Sequence, residues 1–75
     1  MTTEEMENRL REAYPESTVA VVDLTGGGSN FEIRISEPSF ENLPRVKQHQ
    51  AVMKVFSDEL ASGEVHALAI KTLNL

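Results

Sequence analysis

Seventy-five residues, 40% hydrophobic and 25% charged, suffice for one small core and leave no room for a second domain, so residues 1–75 read as a single domain. The lack of cysteine excludes a disulfide framework, a thiolate nucleophile, and a zinc or iron–sulfur site held by the chain's own sulfur. Seven basic against twelve acidic residues give a net charge of -5, which opposes binding of a polyanion through overall charge.

Thr2 or Thr3 can cap a first helix, and Thr2 with Glu5 has the spacing of a capping box. Met6, Leu10, Ala13 and Tyr14 form its apolar stripe, with Glu7, Arg9, Arg11 and Glu12 facing water, and Pro15 stops it. The polar, acidic start lacks the basic and apolar regions of a secretory signal, and no apolar run reaches membrane-spanning length. A cytoplasmic location is the default expectation, no membrane contact is expected, and an organelle reached after presequence removal is compatible with the same residues.

Thr18 to Leu24 is valine-rich and reads as a strand. Thr25-Gly26-Gly27-Gly28-Ser29-Asn30 is a turn, and Phe31, Ile33 and Ile35 alternate with Glu32 and Arg34 in a second strand that completes a hairpin. The glycine run matches neither G-x-G-x-x-G nor the P-loop, and it joins two strands where those motifs need a strand followed by a helix, so a nucleotide site is rejected. Phe40 and Leu43 are expected to be pinned on the core.

From Pro44 the pattern predicts one long amphipathic helix, with Asn42 as its cap and Val46, Val52, Met53, Phe56 and Leu60 on its buried arc. Gly63 supplies a left-handed helix end, and Val65 to Leu73 reads as a third strand, parallel to the second after a right-handed crossover. The predicted fold is α+β, in the order α-β-β-α-β: a three-stranded mixed sheet with two helices on one face.

Two histidines differ in setting. His49, between Val46 and Met53 on the predicted arc, is assigned a structural role, whereas His66, at the junction of helix end and sheet end, has the position of an accessible imidazole able to ligate zinc, copper or iron. One histidine does not hold a metal tightly, so further ligands would come from a partner. Arg45, Lys47, Lys54 and Lys71 are the cations of the C-terminal half, and Asp23, Asp58 and Glu59 read as surface or cap residues, so no catalytic constellation is evident and the chain is not read as an enzyme.

Arg45-Val46-Lys47-Gln48-His49-Gln50, His66-Ala67-Leu68 and Lys71-Thr72-Leu73 together resemble the signature of BolA-like proteins. Leu10-Arg11-Glu12-Ala13-Tyr14-Pro15, Val21-Val22-Asp23-Leu24 and Phe31-Glu32-Ile33 fit the same family upstream, so the resemblance covers nearly the whole chain. It implies a fold related to the type II KH domain, although the KH loop G-x-x-G is absent because Ser29 ends the glycine run. It also implies an adaptor that partners a monothiol glutaredoxin of the Cys-Gly-Phe-Ser type and shares a bridged [2Fe-2S] cluster in iron–sulfur assembly or iron regulation, none being bound by the isolated chain. The family's cluster-ligating histidine matches His66. Asn30 stands about where a second family ligand, a His or Cys, would be, and asparagine is a poor iron ligand.

The competing implication is a DNA-binding transcriptional regulator of stress response or cell shape, with Arg45 and Lys47 as the nucleic-acid contacts. A third is a cluster-free interaction module indifferent to His66. The free chain is expected to be a monomer or weak dimer.

Overall fold

The computed structural model describes residues 1–73; Asn74 and Leu75, the end of the C-terminal stretch, lie outside them. The elements are α1 (Thr3–Ala13), β1 (Thr18–Asp23), β2 (Asn30–Ser36), a 3-10 turn (Pro38–Phe40), α2 (Arg45–Val55), α3 (Ser57–Ser62) and β3 (Ala67–Thr72). The sheet order is β1-β2-β3, with β2 antiparallel to β1 and parallel to β3. This is the expected three-stranded mixed sheet with helices covering one face.

The first helix starts as its sequence dictates. Thr2 accepts the Glu5 N–H at 3.1 Å and Glu5 accepts the Thr2 N–H at 2.8 Å, the reciprocal capping box. Its stripe is narrower than expected: Met6 and Leu10 are fully buried, Tyr14 half-buried with its ring edge-on to Phe40 at 5.2 Å, but Ala13 is exposed. Glu7 and Arg9 do more than face water. Glu7 accepts the Val21 N–H, and Arg9 lies over the Phe56 ring and forms a bidentate pair with Glu59.

In β2, Phe31, Ile33 and Ile35 are all fully buried, whereas Arg34 on the opposite face is exposed. Their partners across the sheet are Val19 and Val21 from β1 and Leu68 and Ile70 from β3. On the open face, Glu32 accepts Arg34 Nε at 2.9 Å and Lys71 Nζ at 3.3 Å.

The C-terminal helical segment departs from its expected form. It is two helices, because Phe56 leaves helical geometry at φ −111° and ψ 24° and its N–H turns back to Met53 and Lys54. The break turns the chain where Phe56 fills the core beneath Arg9 and Glu59 reaches the same guanidinium, contacts that no local pattern encodes. Asp58 and Glu59 then open α3 at the end of a helix dipole that favours anions.

The buried arc is accordingly Val52 and Phe56, flanked by Ala51, Val55 and Leu60, and not Val46 and Met53, which are 66% and 45% exposed. Leu43 is also exposed, while Phe40 is buried as expected. Asn42 does not cap α2. The helix begins after Pro44, whose carbonyl accepts the Lys47 and Gln48 N–H groups, and the Gln48 side chain reaches back to the Phe40 and Leu43 carbonyls at 2.7 and 3.0 Å. Gly63 is left-handed at φ +84°, as expected, and the third strand begins at Ala67, two residues later than Val65.

Truncating the side chain at the helix break should cost far more than truncating an apolar residue of α2 that faces solvent. Phe56→Ala should lower unfolding free energy by about 3–5 kcal/mol, and Met53→Ala should change it by less than about 0.5 kcal/mol, read from urea midpoints. Acid should also weaken the fold. The Arg9 hydrogen bond holds the Glu59 carboxyl below the usual carboxylate range, and the Arg34 and then Lys71 hydrogen bonds do the same for Glu32. A carboxylate whose pKa is lower folded than unfolded contributes stability that is complete above its unfolded pKa and is lost as pH falls through its folded pKa. Stability should therefore decline from about pH 5 downward, and Glu59→Gln should flatten that decline in urea titrations at pH 3 to 7.

Candidate functional site

Parallel pairing of β2 with β3 puts the starts of both strands at one end of the sheet. The residue before β2 is Ser29 and the residue before β3 is His66, so the turn after β1 and the candidate ligand meet there. The Ser29 carbonyl accepts the His66 N–H at 2.7 Å and the Ala67 N–H at 3.3 Å, ahead of the first register pair, Asn30 with Ala67.

His66 is held from its other side as well. Val65 is 1% exposed, and its N–H donates to the Glu59 carbonyl at 3.1 Å. The backbone is fixed between a buried residue and a strand, whereas the His66 side chain is exposed, and among the described residues no hydrogen bond is made to its imidazole. The ring is free to bond to something outside the chain.

The turn beside it is organised by Asp23. One carboxylate oxygen accepts the Thr25 and Gly26 N–H groups at 3.3 and 2.9 Å, and the other accepts the Gly28 N–H at 2.8 Å. Gly26 and Gly28 have φ of +76° and +75°, the left-handed region that only glycine adopts freely. Leu24 N–H to the Asn30 carbonyl closes the turn at 2.8 Å, and the Asn30 side-chain amide donates to Ser29 Oγ at 3.2 Å.

Sequence reasoning located His66 but missed the Ser29 carbonyl, which follows from parallel pairing once that is known. It also treated Asp23 as a generic surface or cap residue. An aspartate two positions before a Thr-Gly pair is the signal of a side chain capping its own turn.

The remaining predicted residues lie elsewhere. His49 is half-buried on α2, whereas Val46 and Met53, expected to flank it on a buried arc, are exposed. Arg9, Arg11, Arg34 and Lys71 each pair with a glutamate, whereas Arg45, Lys47 and Lys54, all exposed and all on α2, make no ion pair among the described residues. The helix has no acidic residue, and two of its cations occupy the first turn, where the dipole disfavours positive charge.

Among the described residues no three His, Cys, Asp or Glu side chains converge to hold a metal ion. A single protruding imidazole on a fixed backbone does fit one ligand position of a metal group whose remaining ligands come from another molecule. It does not fit a cluster resident in this chain alone. No helix of the described residues is long and apolar enough to cross a membrane.

A model of the BolA-like protein family matches residues 3–74. The chain is 36% identical over 73 residues to an uncharacterised protein from the rpoN–murA intergenic region of Acinetobacter guillouiae, covering 97% of this chain and 84% of that protein. It is 33% identical over 75 residues to BolA-like protein 3 of Saccharomyces cerevisiae, covering 96% of this chain and 62% of the yeast protein. Among solved structures, the BolA domain of SufE1 from Arabidopsis thaliana superposes with a TM-score of 0.84 at 26% identity, over 96% of this chain and 90% of that one.

Proposed function

The chain belongs to the BolA-like protein family, and on that premise we propose that it is a non-enzymatic adaptor that binds a monothiol glutaredoxin and contributes His66 as one ligand of a shared [2Fe-2S] cluster. Assembly or trafficking of iron–sulfur clusters, or iron regulation, in the cytoplasm is the setting that suits this role. The observation that carries the reading is the exposed His66 imidazole on a backbone fixed at both neighbours.

Each residue of the site has a task. Buried Val65 and the Ser29 carbonyl hold the His66 main chain, so little backbone freedom is lost when the ring becomes a ligand. The imidazole offers one nitrogen as a ligand, and the missing cysteines mean that every thiolate comes from the partner and its glutathione. Asn30 has its amide turned to Ser29 Oγ, and among the described residues His66 is the one imidazole at that end of the sheet. A cluster with imidazole in place of one thiolate has a raised reduction potential, which is the chemistry such a group supplies.

The unpaired cations on α2 favour one second reading, contact with DNA through Arg45 and Lys47. Against it stands the net charge of -5.

Mixing the chain with a cluster-loaded monothiol glutaredoxin should produce a new visible absorption and circular dichroism spectrum that His66→Ala fails to produce. An unchanged spectrum together with separate elution on size exclusion would remove the adaptor reading. For DNA, two phosphate contacts predict a log affinity against log salt slope of about -2, abolished in Arg45→Glu/Lys47→Glu. Binding indifferent to those substitutions would exclude α2 as the contact.

A further inference from the structure

We infer that Asp23 is a positioning residue for His66, acting through the turn between β1 and β2; the inference rests on the reading of His66 as a cluster ligand and deepens it. Residues 24–29 include three consecutive glycines, and each glycine has more backbone freedom to lose than any other residue. What orders it is one carboxylate that uses both oxygens on three N–H groups, the shortest of these bonds, 2.8 Å, going to Gly28. Bonds to an ionised acceptor are roughly twice as strong as neutral ones.

Gly28 is followed by Ser29, whose carbonyl takes the His66 and Ala67 N–H groups. The coupling is therefore a short backbone relay, from the Asp23 carboxylate to the Gly28 N–H, through the Gly28–Ser29 peptide to the Ser29 carbonyl, and from there to the His66 N–H. His66 itself lies outside β3, so this bond and the buried Val65 set where its ring projects. The Met1 ammonium also donates to the Gly28 carbonyl, at 3.2 Å, which holds the next peptide of the relay, Gly28–Ser29. A turn that only joined two strands would need its ends closed, as the Leu24 to Asn30 bond does; the Asp23 bonds go further and hold the Gly27–Gly28 peptide, two peptide units before the one whose carbonyl bonds His66.

The test has two readouts, amide hydrogen exchange in the isolated chain and visible circular dichroism with cluster-loaded monothiol glutaredoxin. In Asp23→Ala, exchange at His66 should rise about tenfold or more while Ile33, in the core of β2, keeps its protection, and the shared-cluster spectrum should weaken. Asp23→Asn, which retains one acceptor oxygen, should fall between wild type and Asp23→Ala in both. Glu41→Gln, which removes a charge beyond the other end of β2, should match wild type. Unchanged exchange at His66, equal acceleration at Ile33, or a full cluster spectrum from Asp23→Ala would each overturn the inference while an intact wild-type complex leaves the ligand reading standing. A wild-type chain that forms no complex overturns both.

Discussion

The position of β2 between an antiparallel and a parallel neighbour is the constraint on which the remaining structure depends. Its inward residues, Phe31, Ile33 and Ile35, are all fully buried, so a one-residue slip on either side would place three large apolar groups in water and Arg34 in the core. That fixes the register of both pairs at once. The antiparallel side needs only a short turn, whereas the parallel side needs a crossover, which α2 and α3 supply. The geometry then brings the beginning of β3 to the turn that precedes β2, and His66 meets Ser29 because of it.

The crossover shows how tertiary contacts reshape a local pattern. Apolar residues recur through Val46, Val52, Met53, Phe56 and Leu60 closely enough to suggest one continuous helix, yet only Val52 and Phe56 among them are fully buried. Phe56 lies where the chain bends, covered by a guanidinium that also holds Glu59, so the bend and the Arg9 ion pair support each other. The outcome leaves Val46 and Met53 of α2 exposed and Gln48 folded back to close the carbonyls of the preceding turn.

Charge is distributed by the same logic. Among the described residues the arginines and lysines elsewhere in the fold each pair with a glutamate, while Arg45, Lys47 and Lys54 of α2 make no ion pair. His66 lies outside that helix, and among the described residues it belongs to no group of three or more His, Cys, Asp or Glu side chains.

By itself the sequence determined every element whose cause is local: the Thr2 and Glu5 capping box, the alternation of β2, the glycine turn, the left-handed Gly63 and, from the α-β-β-α-β order, a mixed sheet with its helices on one face. It marked His66 as the residue to watch, by its place at an element boundary and by family resemblance. Only tertiary structure decided where the long helix breaks, which side of α2 is buried, that Asn42 and Leu43 have no part in cap or core, and that Asp23 and Ser29 stand in line with His66. The physical reason is range. Caps, turns and alternation are settled between residues a few positions apart, whereas Arg9 with Glu59, or Ser29 with His66, are separated by about half the chain or more and meet only in the folded structure.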